Sequence, residues 1–213
     1  MDWSSTLDAP ASKGFKMGFF EVRYGETTLK EVIEKAAAGK VVHSGSAPDN
    51  IDWVCYLNLL PGYKEEIWIT SRADAGGPTH RVTGVIARII EKVGNSNCAK
   101  LPEAMRPVTL DRGIWLGESP EFLKAKLGQP SHVEGRWQSY DYQGKQEGAC
   151  PNGLDVSNSL IVRVSPYGIR ELFASQIRVA KVRSGAPRRE CDVIDSQEVN
   201  ARPVPLSICG CRI

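Results

Sequence analysis

The stretch Gly117–Tyr142, GESPEFLKAKLGQPSHVEGRWQSYDY, holds a helix start, a helix, a stop and a strand in that order. In Ser119-Pro120-Glu121 the serine hydroxyl caps, and proline takes the first helical position, where its missing N–H has no intrahelical partner to lose. The glutamate meets the positive end of the helix dipole. Phe122, Leu123, Ala125 and Leu127 supply the apolar stripe, and Gly128 with Pro130 ends it. Arg136–Gln143 then reads as a strand bearing Trp137 and Tyr140.

An echo lies upstream in Gly25–Tyr56. It also opens Gly-Glu-Thr/Ser, runs through an amphipathic helix to a glycine (Gly39) and reaches a Trp-x-x-Tyr strand, Trp53 to Tyr56. Thr28 and Glu31 can form a capping box, with Leu29, Val32, Ile33 and Ala36 at helical spacing behind them. Each helix is followed by three extended segments. They are Ile51–Leu59, Glu66–Ser71 and Val82–Ile90 in the first case, and Arg136–Gln143, Ser159–Val164 and Ile169–Val179 in the second. The fold class expected is α+β: two tandem repeats, each a short helical segment packed on a small antiparallel β-sheet, with an irregular C-terminal tail. Residues 1–18 form a flexible lead-in, 19–98 repeat one and 99–107 a linker marked by Pro102 and Pro107. Residues 108–182 form repeat two, opening with a strand over Val108–Leu116, and 183–213 an irregular, cysteine-bearing tail.

Composition narrows the class. With 41% apolar and 24% charged residues the chain has the make-up of a globular protein, not of a disordered or fibrous one. Its 27 basic residues nearly match 25 acidic ones, which lacks the clustered basic excess of a nucleic-acid binder. It has no run of about 18 apolar residues, so no membrane-spanning helix is expected. Six cysteines, Cys55, Cys98, Cys150, Cys191, Cys209 and Cys211, form an even set, five of them in segments read as loop or tail. Cys209-Gly-Cys211 is too tight for the usual zinc spacing, and disulfides of an exported protein lead over reduced thiols and over zinc. Residues 1–18 lack the basic start and apolar run of a signal peptide. Either the protein is cytoplasmic or this is a mature form, and the cysteines favour the second, in the periplasm or secreted.

Gly-x-Ser, a short helix, Leu127-Gly128-x-Pro130 and a Trp-x-x-Tyr strand resemble the helix-and-sheet modules of SmpA/OmlA-type outer-membrane-assembly lipoproteins. Two in tandem are similar to the fold of the secreted β-lactamase inhibitor proteins. The resemblance covers roughly residues 19–180 and implies a protein-binding role. The longer first helix, the absence of proline after Gly39 and the lack of a lipobox depart from it.

Strand parity gives a surface argument, because successive side chains alternate between faces and helices cover only one. Tyr140 and Tyr56 are placed inward against the helices, with Trp137 and Trp53 outward. The same parity puts Trp68, Arg72, Arg88, Ile161 and Arg163 on the open face. Tryptophan with arginine is the composition of interface hot spots, so Trp53, Trp68, Trp137, Arg72, Arg88 and Arg163 are the expected binding residues. A competing reading packs the tryptophans into the seam between repeats. His43, His80 and His132 lie in polar loops without a partner at a motif spacing. Gly76-Gly77-Pro78 leads to a strand and reads as a turn, not a phosphate loop. No cofactor, metal or catalytic residue is indicated. The function expected is a non-enzymatic, exported protein-binding module, inhibitor-like or an envelope-assembly factor. The alternatives are a hydrolase with a site between the repeats and His80 or His132 as base, and a structural subunit of an envelope complex.

Overall fold

The computed structural model describes residues 7–46, 50–72, 76, 79–91, 97–146 and 154–180. The tail expected over 183–213 and Cys150, Cys191, Cys209 and Cys211 lie outside them. The fold is α+β, with helices α1 (Leu29–Ala36) and α2 (Pro120–Leu127) among antiparallel strands. The strands are β1 (Gly14–Met17), β2 (Phe20–Arg23), β3 (Val42–Ser44), β4 (Ile51–Leu60), β5 (Tyr63–Arg72) and β6 (Gly84–Ile90). They continue as β7 (Ala99–Lys100), β8 (Val108–Leu110), β9 (His132–Glu134), β10 (Trp137–Gln146), β11 (Leu154–Ser165) and β12 (Gly168–Ala180).

Both helices start on the expected caps. Thr28 Oγ1 accepts from the Glu31 N–H at 3.2 Å while the Glu31 carboxylate accepts from the Thr28 N–H at 2.7 Å. That backbone hydrogen bond, with the Thr28 hydroxyl, holds the Glu31 carboxyl below its usual range. Ser119 Oγ accepts from the Phe122 N–H at 3.1 Å. α1 stops at Ala37, in the left-handed region at φ 48, two residues before the expected Gly39. Gly39 serves packing instead: a Cβ there would fall 2.8 Å from Val54 Cγ2.

The main sheet runs β3-β4-β5-β6-β12-β11-β10-β9, with β7 added in parallel to β4. Two small sheets were expected. One sheet forms because β6 and β12 pair over Gly84–Arg88 and Glu171–Ser175, carrying the ladder across the middle. Against its covered face pack α1, α2 and a second sheet, β2-β1-β8. Phe15, Met17, Val22, Tyr24, Leu29, Val32, Ile67, Ile69, Leu123 and Leu160 meet in one core.

The second sheet accounts for the largest departures from expectation. Its middle strand, β1, comes from the expected lead-in, where Ala11, Phe15 and Met17 are wholly buried. Its edge β8 is all that forms of the strand expected over Val108–Leu116, since Gly113 turns the chain at φ 75 and Ile114–Leu116 pass into the core as a loop. Residues 99–107, expected as a linker, hold β7 and a 3-10 turn at Glu103–Met105, anchored by buried Leu101 and Met105. Burial of those two side chains outweighs the punctuation of Pro102 and Pro107.

Gly117 and Gly168 bring α2 to the sheet. The Gly117 N–H donates to Ile169 O at 2.9 Å and the Ile169 N–H to Glu118 O at 2.9 Å. Gly168, at φ 102, leaves room for the Gly117 carbonyl, which a Cβ there would meet at 2.3 Å. No described helix is long and apolar enough to cross a membrane.

Candidate functional site

The covered face takes Val54, Tyr56, Ile67, Ile69, Tyr140, Leu160 and Val162 into the core. Alternation then sends their neighbours to the other side, where no described element packs over most of the sheet. The register makes three adjoining rows there. Leu57, Glu66, Arg88, Glu171, Arg163 and Trp137 oppose one another from β4 to β10 in the first. Cys55, Trp68, Ile86, Phe173, Ile161 and Ser139 form the second. Trp53, Thr70, Gly84, Ser175, Ser159 and Asp141 form the third.

Five of the six sequence-predicted binding residues, all but Arg72, have a place in this grid. Trp53, Trp68 and Trp137 are half-buried and lie on the open face, while Tyr56 and Tyr140 are buried on the other. Arg88 lies over the Trp68 ring at 4.9 Å and Arg163 near the Trp137 ring at 6.0 Å, both within cation–π range. Arg88 Nε and Nη2 donate to Glu66 Oε2 at 2.9 and 2.7 Å, and Arg163 Nη2 donates to Glu171 Oε1 at 2.6 Å. These charges stand directly opposite across strands, an arrangement that favours pairing. Arg72 is exposed at the end of β5 opposite Ile51, one row beyond Trp53, and does not line the groove described next.

Trp53, Trp68, Ile86 and Phe173 surround a groove of about 310 Å³, closed at its sides by Ile51, Arg88 and Glu171. Phe173 packs against Trp137 with centroids 5.9 Å apart, so the third tryptophan braces the groove from the far half. Cys55 and Cys98 are joined in a disulfide, their Cα atoms 4.7 Å apart, which ties the segment before β7 to the Trp68 end of the second row. Sequence reasoning missed Ile86, Phe173, Glu66 and Glu171. Phe173 and Glu66 were within reach of strand parity, Glu66 sharing the face of Trp68; what needed the register was the pairing of each carboxylate with its arginine.

A second cluster sits on the covered side at the β3 edge. Asp52, 6% exposed, accepts from His43 Nδ1 at 2.8 Å through one oxygen and from His80 Nδ1 at 2.9 Å through the other. An ionised carboxylate only accepts, so both imidazoles carry their proton on Nδ1 and present Nε2. His80 is held in the left-handed region at φ 50, where its carbonyl accepts from the Leu29 N–H at 3.0 Å. Reading the region of His43 as loop concealed this contact, because β3 pairs His43 with Asp52. His132, the third histidine, is exposed on edge strand β9. Among the described residues no group of three or more His, Cys, Asp or Glu is arranged to hold a metal ion.

Comparison with known protein families, curated proteins and solved structures finds no match. The functional reading therefore rests on this geometry.

Proposed function

We propose that the chain is a non-enzymatic, exported protein-binding module, inhibitor-like or an envelope-assembly factor, that docks another protein on the open sheet face. The observation that carries the reading is the groove of Trp53, Trp68, Ile86 and Phe173 flanked by Arg88, on a face that no described element covers there. Tryptophan and arginine contribute a disproportionate share of binding energy when a partner excludes water from them. The Cys55–Cys98 disulfide supports an oxidising compartment, hence the periplasm or the outside of the cell.

The reading includes the tandem repeat. Each helix precedes four strands of the main sheet's path, with β7 a fifth strand added to the first set, and the two sets meet in mirrored order at β6 and β12. If Trp53 corresponds to Trp137, the register carries the match from Trp68 to Ile161 and from Ile86 to Phe173. Ile86 and Phe173 are also direct cross-strand partners, as two residues beside a local two-fold axis must be. That arrangement favours the resemblance to the two-module inhibitors and puts the groove at the junction.

The test is affinity capture from the native envelope or secretome with the wild-type chain and with Trp53→Ala plus Trp137→Ala. A partner recovered by the first and lost by the second is expected. Unchanged recovery by the variant sinks the surface assignment. A hydrolase reading is favoured by one observation, the His80 imidazole oriented by buried Asp52 with Nε2 available. Turnover of a hydrolysable substrate that His80→Ala abolishes would promote it.

A further inference from the structure

We propose that the segment seated on the open face carries an aromatic or branched aliphatic side chain flanked by carboxylates, the first filling the groove and a carboxylate meeting Arg88. This rests on the reading of that face as a docking surface and adds the chemistry of the partner.

The apolar part follows from the groove itself. Its volume of about 310 Å³ is at the small end of ligand pockets, and its walls are Trp53, Trp68, Ile86 and Phe173. Phe173 and Ile161 keep 37% and 36% of their surface in contact with water, so the second row is wet apolar surface at its centre. A single large side chain removes that water and meets ring faces on two sides.

The charge follows from unequal burial within the ion pairs. The Arg88 side chain is 50% exposed against 9% for Glu66, and Arg163 is 40% exposed against 22% for Glu171. Each carboxylate lies low and holds a guanidinium whose outer edge faces the solvent. Both contacts of Arg88 go to one Glu66 oxygen, which leaves further N–H donors of its fork for another acceptor. Of the two charged side chains that line the groove, Arg88 and Glu171, Arg88 is the one that stands out into solvent. An incoming segment therefore meets the outer N–H donors of one guanidinium beside an apolar hole. A nucleic-acid strand is the less favoured polyanion, because Glu66 and Glu171 alternate with the arginines along the row its phosphates would follow.

The experiment selects binders to the full-length chain from a displayed library of disulfide-constrained loops, then measures the winners as synthetic peptides. Sequences with an aromatic or aliphatic residue beside Asp or Glu are expected, weakening as salt is raised. Trp68→Ala should weaken them about thirtyfold, and Phe173→Ala, at an already exposed side chain, reads the same groove should the first variant not fold. The double variant Glu66→Gln/Arg88→Gln removes both charges without orphaning either; it should cost about tenfold and abolish the preference for acidic loops. Winners that need Trp68 but show no acidic enrichment overturn the partner chemistry and leave the docking face standing. Winners indifferent to Trp53→Ala, Trp68→Ala and Phe173→Ala overturn both. Displacement of the winners by polyuridine at matched charge concentration overturns the proposal in favour of a nucleic-acid platform.

Discussion

The two halves of the open face, β3–β6 and β9–β12, differ more than the two halves of the covered face do at its centre. Matched on Trp53 and Trp137, the centre of the covered face repeats: Tyr56 opposes Ile67 in one half and Tyr140 opposes Leu160 in the other, all buried. On the open side the counterpart of Trp68 is Ile161, and serines at 139, 157 and 159 with Asp141 replace the apolar wall. The groove therefore belongs mainly to the first half, with Glu171 and Phe173 lent by the second. Packing restricts the chemistry of a face that must be buried. A face left in water is free to specialise, and the first half has done so toward the half-buried rings of Trp53 and Trp68.

The comparison breaks most severely if the halves are separate folding units. Ile67→Ala and Leu160→Ala each delete a wholly buried side chain at matched positions, and each should cost about 2–5 kcal/mol. Because β6 and β12 pair and the core is shared, either variant should shift one urea transition, the same by circular dichroism and by tryptophan fluorescence. Two transitions, each moved by only one substitution, would mean that the halves unfold independently. The next effect is one-sided. The disulfide between Cys55 and Cys98 spans a separation of 43 residues within the first half, so Cys55→Ala/Cys98→Ala should cost about 2–4 kcal/mol. Hydrogen exchange should show the loss concentrated in β4 and β7, with β10 and β11 following only in global opening.

A smaller difference separates the two matched tyrosines. Tyr56 donates to the backbone oxygen of Ala38 at 2.9 Å, and burial pushes its phenol up to about 12. Tyr140 donates to the Gln138 side chain at 3.0 Å, which is only half-buried. Tyr56→Phe strands a carbonyl just after α1 and should cost about 1 kcal/mol. Tyr140→Phe should cost less, because Gln138 can turn to water. Equal losses in paired thermal melts would argue against that assignment.

The local half of this architecture was legible in the sequence, and the long-range half was not. Thr28 with Glu31 and Ser119 with Pro120 announce helix starts within four residues, and the structure makes those hydrogen bonds. Parity within a strand likewise separates Trp137 from Tyr140 without knowledge of any neighbour. By contrast, Gly14–Met17 is a strand only because Val108–Leu110 and Phe20–Arg23 flank it, and nothing local in GFKM carries that information. The groove needed Phe173 beside Ile86, and the histidine cluster needed His80 beside Asp52; both are tertiary facts set by register and loop closure. Sequence alone thus reached the tryptophans and arginines, and stopped short of the pairing of Arg88 and Arg163 with their carboxylates.

The subtlest contrast lies at Glu65, whose counterpart in the second half is the non-titrating Asn158, both buried on the covered face. Burial raises the Glu65 carboxyl above its usual range, against a 2.7 Å hydrogen bond from Asn58 Nδ2 and the charge of Arg106. A raised carboxyl favours the fold most when protonated. Its contribution is fully present below the ordinary glutamate range and is lost as pH rises through the higher value in the folded state. Glu65→Gln keeps an acceptor for Asn58 and supplies an N–H toward Asn58 Oδ1, which has no partner. The variant should match wild type in acid, exceed it in urea midpoint near neutrality, and show a flatter stability profile between. A wild-type profile that instead climbs relative to Glu65→Gln through that window would mean that Arg106 and Asn58 outweigh desolvation, and that the first half gains from the charge its counterpart lacks.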